Sequence, residues 1–115
     1  MTIKQAELPP ELKNVVIAAA SFVEQGAVLI RQGDEAQFTS YSPTYVDVEV
    51  EQRVPDGPWR DGPLPVDVDV IDDDGNAVGE ILIWIKNGRI ELFEQVWWTD
   101  YSPESWPDSD HIRAY

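Results

Sequence analysis

The sequence predicts an α+β fold, in which one N-terminal helix packs on a mostly antiparallel sheet of about five strands arranged as a meander. An extended C-terminal tail follows the sheet. Three observations lead to this prediction: one apolar stripe with helical spacing, period-two alternation in the middle of the chain, and an Asn87-Gly88 dipeptide between two strand-like runs. Since an amphipathic helix and a one-sided sheet each need cover for an apolar face, they should pack together.

The helix is predicted over residues 10–25. Pro9-Pro10-Glu11 opens it, because a proline in the first turn lacks only an N–H that would have no partner there. Gly26 is a suitable C-terminal stop. One apolar stripe then follows the helical period, at Leu12, Val15, Val16, Ala19, Ala20 and Val23.

The sheet is predicted over residues 27–98. Residues 27–32 form its first strand, Gly33-Asp34 a turn, and residues 35–40 a short return strand. Residues 54–65 are rich in Pro and Gly and form a loop. On both sides of this loop, valines that face the core alternate with acids that face water. The valines are Val46, Val48, Val50, Val66, Val68 and Val70, and the acids are Asp47, Glu49, Glu51, Asp67 and Asp69.

The last two strands should form a hairpin, since Asn-Gly suits the positive φ angles of a type I′ turn. Trp97 and Trp98 must then point to opposite faces of the outgoing strand. Either the tail, residues 99–115 with Trp106, covers the second of them, or that tryptophan stays exposed as an interface anchor. The expected pairs are Ile85 with Ile90, Ile83 with Leu92, and Leu82 with Phe93.

Length and composition indicate a single domain over residues 1–115 with one hydrophobic core. Cysteine is absent, which excludes disulfides and thiolate metal sites. The longest apolar run is far below the roughly 20 residues that cross a bilayer. The first five residues introduce no secretory signal. We therefore expect a cytoplasmic protein that does not bind membranes.

The charge is strongly negative, because 22 acids stand against 8 Lys and Arg, for a net charge of -14. Residues 44–75 hold ten of the acids and only Arg53 and Arg60, a net of −8. Such a surface repels nucleic acid and attracts a basic protein. Two interpretations stay open: the acids serve solubility alone, or they bind a cationic surface. If the two acidic strands are adjacent, like charges would crowd on one face.

No pattern in the sequence predicts catalysis or a cofactor. General acid–base catalysis needs a carboxylate in a desolvated pocket, whereas these acids alternate along half-exposed strands. The Asp-rich turn fails as a calcium loop, because with Gly75 at the sixth place Val70 and Ile81 take the first and twelfth. His111, the only histidine, is not enough for a zinc centre, and no glycine-rich phosphate loop is present. We expect no enzyme activity, no metal site and no cofactor.

The C-terminal half contains four short motifs, Asp74-Gly75-Asn76-Ala77-Val78-Gly79-Glu80, Trp84-Ile85-Lys86-Asn87-Gly88-Arg89-Ile90, Phe93-Glu94 and Trp97-Trp98-Thr99-Asp100. With these motifs it resembles a group of small bacterial α+β proteins with no assigned activity. The resemblance spans about residues 44–110 and implies the fold and a bacterial origin. Many members carry a Cys/Gly-rich stretch where this chain has residues 40–44, so any metal or redox role of that stretch would be absent here.

The leading hypothesis is a non-enzymatic acidic protein that binds and inhibits a basic protein partner, such as an immunity protein for a basic toxin. One alternative is a nucleic-acid mimic, which needs a row of carboxylates spaced like phosphates. Another is a small-ligand-binding domain with an aromatic pocket between helix and sheet, lined by Phe22, Trp84 and Trp97. The sequence carries no signal for the oligomeric state. The candidate partner-binding residues are Asp47, Glu49, Glu51, Asp67, Asp69 and Trp59.

Overall fold

The computed structural model describes residues 6–115, and the expectation for the first five residues lies outside this range. Two helices pack on one face of an antiparallel sheet, which confirms the predicted α+β class. A short 3-10 helix, Ser109–His111, precedes the last strand. The helices are α1 (Pro10–Ala20) and α2 (Gly26–Asp34), and the strands are β1 (Ala6–Glu7), β2 (Ala36–Tyr41), β3 (Tyr45–Val50), β4 (Gly62–Pro63), β5 (Val68–Ile71), β6 (Ala77–Lys86), β7 (Arg89–Trp97) and β8 (Ile112–Ala114).

The sheet has eight strands among the described residues, in the order β1-β2-β3-β7-β6-β5-β8, with β4 also pairing with β6. The predicted meander of about five strands is therefore wrong in number and in order. The chain leaves the sheet after β3, and β7 later takes the place beside β3. The missed strands β1, β4 and β8 have only two or three residues each, too few for an alternating pattern.

The first helix begins at Pro10 as predicted but ends at Ala20, not near residue 25. Its predicted stripe is buried from Leu12 to Ala20. Gly26 does not stop this helix, because it begins α2 and packs against the end of α1. A Cβ at Gly26 would lie 2.0 Å from the Ala20 carbonyl oxygen, so only glycine allows the two helices to meet there.

The predicted strand over residues 27–32 is wrong, because these residues form α2. Leu29, Gln32 and Gly33 are its buried residues, which is the i, i+3, i+4 spacing of a helix packed on α1. The predicted turn at Gly33-Asp34 is the last part of the same helix. A four-residue apolar run fits a buried helix as well as a strand, so periodicity alone does not distinguish them. The predicted return strand over residues 35–40 is confirmed as β2.

The predicted hairpin is confirmed, with Asn87 and Gly88 both at positive φ, 54° and 75°. The register agrees at Ile85 with Ile90 and then shifts by one residue. Leu92 faces Trp84 and Phe93 faces Ile83, so the predicted pairs Ile83 with Leu92 and Leu82 with Phe93 are wrong. The extra residue is Glu91, which forms a bulge that brings Ile90 and Phe93 to the same buried face.

The C-terminal segment, which was predicted to be an extended tail, contributes a buried tryptophan and a strand to the fold. Trp106 is buried, and its indole Nε1 donates to the carbonyl of Ser42 at 2.9 Å. The chain then adds β8 to the edge of the sheet beside β5. Of the two neighbouring tryptophans, Trp97 is half-buried and Trp98 is 57% exposed.

Gln32 is a fully buried polar side chain at the centre of the fold, between α2 and the start of β7. Its amide nitrogen donates to the carbonyls of Pro55 and Gly88 at 3.0 and 2.9 Å. Its amide oxygen accepts from the backbone N–H of Ile90 at 3.0 Å. This side chain therefore forms hydrogen bonds with backbone groups that are not bonded to a neighbouring strand. These bonds stabilise the contact between α2, the proline-rich loop and the hairpin.

Candidate functional site

The helices leave one face of the sheet without a helix among residues 6–115, and we call it the open face. The opposite, covered face carries the core, including Ile81, Ile83 and Phe93. Residues that pair across antiparallel strands share a face. The open face therefore carries three rows of side chains, Asp47-Leu92-Trp84, Tyr45-Glu94-Leu82 and Val96-Glu80-Asp69-Arg113.

Apolar and acidic side chains are mixed on the open face. Leu82, Trp84 and Leu92 are half-buried by their neighbours, and no core covers them. Carboxylates stand beside them on each of the three central strands, and one of these, Glu94, accepts from the Trp84 indole Nε1 at 3.1 Å. Tyr45 adds a 41% exposed ring at the β3 side. Apolar side chains with charged side chains around them are typical of a protein–protein interface.

The predicted acids of β3, and Glu51 directly after this strand, lie on or next to this face. Glu49 and Glu51 are exposed, and Asp47 is half-buried, where it accepts from the Ser40 hydroxyl at 2.8 Å. Asp67, at the other edge of the sheet, is exposed as well. The two acidic strands are not adjacent, because β7 and β6 lie between β3 and β5. Three strand spacings put them about 14 Å apart, so like charges do not crowd between these two strands.

Asp69 differs from the other predicted site residues because it is only 6% exposed. The Tyr115 hydroxyl donates to its carboxylate at 3.0 Å, and the Arg113 guanidinium lies 3.8 Å away. The hydrogen bond to Asp69 also raises the pKa of the Tyr115 phenol. Both partners belong to the segment that forms β8, which the sequence analysis missed. Asp69 therefore holds the C-terminal edge of the sheet in place.

Trp59 is not an exposed loop anchor, since its side chain is 7% exposed. Its indole Nε1 donates to the carbonyl of Glu24 at 2.7 Å, which ties the proline-rich loop to the connection between α1 and α2. The exposed tryptophan is Trp98 instead. Its backbone N–H donates to the Val78 carbonyl at 2.8 Å, so the β6–β7 ladder continues to this residue at the end of the open face.

The predicted aromatic pocket between helix and sheet does not form. Phe22 is 54% exposed in the connection between the helices. Trp84 lies on the open face, whereas Trp97 pairs with Gly79 on the covered face. The alternation along β6 and β7 places Trp84 and Trp97 on opposite faces of the sheet. The bulge at Glu91, which shifts the register between these strands, was not predicted from the sequence.

Two cavities of similar size lie at the surface. The first, about 600 Å³, occupies the fork where β3 and β7 separate beyond their last shared pair. Arg89 spans this fork: its guanidinium donates to the carbonyls of Val50, Glu51 and Val54 and pairs with Asp56 at 2.8 Å. The cations Lys86 and Arg89 therefore line this cavity together with its acids.

The second cavity, about 610 Å³, lies on the covered side of the sheet, between the start of α1, the β5–β6 turn and the C-terminal segment. We call it the C-terminal cavity. Three aromatic side chains line it, Trp97, Tyr101 and Trp106, together with five carboxylates. The rings of Trp97 and Tyr101 lie 5.8 Å apart at 42°. The carboxylates belong to Glu11, Asp72, Asp73, Glu104 and Asp108.

His111 closes one side of the C-terminal cavity by bridging two carboxylates. Its Nε2 lies 2.7 Å from Asp73 and its Nδ1 lies 2.7 Å from Asp108. Hydrogen bonds to Asp73 and then to Asp108 raise the pKa of His111 from 6.5 to about 9. The same contact with His111 lowers the pKa of Asp108. At neutral pH the imidazolium thus joins the C-terminal segment to the β5–β6 turn.

Comparison with known proteins returns no relative, since the chain matches no family model, no curated protein and no solved structure. The resemblance argued from the hairpin motifs therefore stays a prediction. Within residues 6–115, no three His, Cys, Asp or Glu side chains are grouped as a metal site. In the same part of the chain, neither helix has the length and apolar character needed to span a membrane.

Proposed function

We propose that this protein is a non-enzymatic binding protein that recognises a basic protein through the open face of its sheet. More specifically, we propose that binding inhibits the partner, as an immunity protein inhibits a basic toxin. One observation carries it: an uncovered sheet face on which Leu82, Trp84 and Leu92 lie among carboxylates.

The chemistry of this face favours a protein with a basic surface. Half-exposed aliphatic and aromatic groups gain most when another apolar surface covers them. Asp47, Glu80 and Glu94 would pair with Lys and Arg of the partner, and the net charge of -14 would steer its approach. Trp98, exposed at the end of the same face, fits an anchor residue at the rim.

The same arrangement supports protein recognition over the alternatives. A nucleic-acid mimic needs carboxylates in a continuous row, whereas Leu92 and Trp84 follow Asp47 across the sheet. Direct binding of nucleic acid is opposed by the charge. The aromatic side chains proposed for a small-ligand pocket lie on different faces.

The test uses a photo-crosslinking amino acid at two exposed positions on opposite sides of the molecule, in the cells that naturally make the protein. Tyr45, 41% exposed, lies on the open face, and Ile17, 54% exposed, lies on α1 and is the matched control. We expect a protein with an excess of Lys and Arg to crosslink from position 45 and not from position 17. Reversing Asp47 and Glu49 to Lys should then abolish the crosslink.

The purified pair completes this test. The wild-type protein should bind the captured partner directly, and co-expression should suppress the partner's toxicity if the partner is a toxin. Equal crosslinking from both positions, capture of an acidic protein, or full capture by the charge-reversed variant would contradict recognition through the open face. A harmless basic partner would remove the immunity form of the proposal and leave the binding form.

A further inference from the structure

The C-terminal cavity lies on the other side of the sheet from the open face, so it poses a separate question. Its volume, about 610 Å³, is within the usual range for small-molecule sites. It differs from the cavity at the β3–β7 fork in its lining. The fork cavity is lined by the cations Lys86 and Arg89 as well as by acids, whereas the C-terminal cavity combines aromatic rings with excess negative charge.

The two tryptophans of the cavity wall are fixed by hydrogen bonds from their indole N–H groups. Gln95, only 3% exposed, lies at the base of the cavity and accepts from the Trp97 indole Nε1 at 2.9 Å. Its amide nitrogen donates to the carbonyls of Pro43 and Ser105 at 2.8 and 3.2 Å. The Trp106 indole also donates to backbone. With both indole N–H groups bonded to protein, the rings contribute carbon and π surface to the cavity.

The charge in the cavity is not balanced from within. Within the part of the chain that the structure describes, His111 is the only basic residue that lines it, and both of its ring nitrogens already contact carboxylates. The Asp72 carboxylate accepts from the backbone N–H groups of Asp74 and Asn76 in the turn. Among residues 6–115, Glu11 and Glu104 show no ion pair or side-chain hydrogen bond at all. Two carboxylates therefore remain for a ligand beside three aromatic rings.

We propose that the C-terminal cavity binds a guanidinium or primary alkylammonium group. A cation of this kind gains from the π faces of Trp97, Tyr101 and Trp106 and from pairing with Glu11 and Glu104. An anion would be repelled, and a neutral group would forfeit both interactions. The cation belongs either to an arginine or lysine side chain of a protein or to a free small molecule. This inference does not rest on the proposed function, because the two sites face opposite sides of the sheet.

The first experiment titrates the full chain with agmatine, a small molecule with both cationic groups, and with butylurea, a neutral analogue of its guanidinium end. The indole N–H signals of Trp97 and Trp106 in ¹H–¹⁵N spectra report on the cavity. We expect saturable shifts of these signals with agmatine and none with butylurea at equal concentration. Equal shifts with both compounds, or no shift with agmatine, would overturn the proposal.

A matched pair of variants separates a specific site from general attraction of cations. Glu11→Gln with Glu104→Gln removes two charges from the cavity and should weaken agmatine binding about fivefold or more. Glu24→Gln with Glu91→Gln removes two exposed charges elsewhere and should leave affinity within about twofold. All four side chains are outside the core, so both variants should fold. An equal loss in the two variants would show that net charge alone attracts the cation.

A second pair of titrations identifies the source of the cation. A capped Gly-Arg-Gly peptide that binds more tightly than agmatine assigns the cavity to a protein side chain, and the reverse order assigns it to a free small molecule. Replacing arginine by citrulline in the peptide removes the charge at nearly constant shape and should abolish binding. Retained binding of the citrulline peptide would contradict recognition of a cation.

Discussion

The two faces of the sheet differ in what their residues do. On the covered face, Ile83, Phe93 and their neighbours are excluded from water, and the two buried glutamines have all their polar atoms bonded. On the open face, Leu92 and Trp84 stay partly in contact with water beside unneutralised carboxylates. The same two strands thus supply both environments, one residue apart.

Stability and recognition are therefore separable in this molecule. Residues of the covered face determine the free energy of unfolding, because burial and satisfied hydrogen bonds are concentrated there. Residues of the open face contribute less to folding and remain available for a partner. Substitutions at neighbouring positions of one strand should therefore have very different effects on stability and on recognition.

The largest contrast is expected between Phe93→Ala and Leu92→Ala. Phe93 is completely buried, and its truncation should cost about 3–5 kcal/mol of unfolding free energy through lost burial and a cavity. Leu92 is half-buried on the other face, and its truncation should cost about 1 kcal/mol or less. Urea denaturation measures both. Similar costs would mean that the open face is part of the core.

Gln32→Leu should be nearly as costly, at about 2–4 kcal/mol, although it makes the interior more apolar. The change leaves the Ile90 N–H and the Pro55 carbonyl without their partner, and buried unpaired groups are expensive. Gln37→Leu, an exposed glutamine on β2, is the control and should change stability by about 0.5 kcal/mol or less. A neutral Gln32→Leu would show that water replaces the lost bonds.

Substitutions in turns should have a smaller effect on stability. Comparing two glycines separates the cost of a positive φ from the cost of a steric contact. Gly88→Val should cost about 2 kcal/mol or more, because φ is +75° and a Cβ would lie 2.5 Å from the Gly57 carbonyl oxygen. Gly75 also has a positive φ, +83°, but a Cβ there would contact no other atom, so Gly75→Val should lower the unfolding free energy by only about 1 kcal/mol. Thermal or urea unfolding compares them. If the two costs are equal, the contact between turn and loop does not constrain the fold.

The smallest effect is the pH dependence contributed by His111. Since its pKa rises from 6.5 to about 9 on folding, its bonds to Asp73 and Asp108 stabilise the protein fully below pH 6.5. This contribution declines between pH 6.5 and 9 and is lost above the folded pKa. His111→Gln should flatten the stability profile over that interval. A wild-type profile identical to that of the variant would mean that the imidazole is not paired in solution.

Much of the fold follows from local patterns in the sequence. The stripe of α1, the alternation of β3 and the Asn-Gly turn each specify their element because burial and turn geometry agree there. The strand predicted in place of α2 failed because the apolar run is short, and its buried face includes Gln32 and Gly33, which no hydrophobicity pattern marks. The strand order also lies beyond local patterns, since the pairing of β3 with β7 joins distant parts of the chain.

The candidate site was only partly predictable, for a related reason. Alternation placed Asp47 and Glu49 on the water side of β3, where they lie. It could not show that Asp69 would be covered by Tyr115, because that contact depends on a three-residue strand at the end of the chain. Trp59 sits in a proline-rich loop whose path over the helices depends on long-range packing.

The association rate constant with the crosslinked partner, measured against NaCl concentration, tests most directly whether the acidic open face recognises a basic protein. For the wild type, the rate constant should fall steeply as salt screens the attraction. In the variant Asp47→Lys/Glu49→Lys/Asp67→Lys, whose three side chains lie outside the core, the wild-type urea midpoint should be retained. Its association should be slow with little salt dependence, and dissociation should change less. A folded variant with unchanged association kinetics would contradict recognition through the acidic open face and leave the acids a role in solubility only.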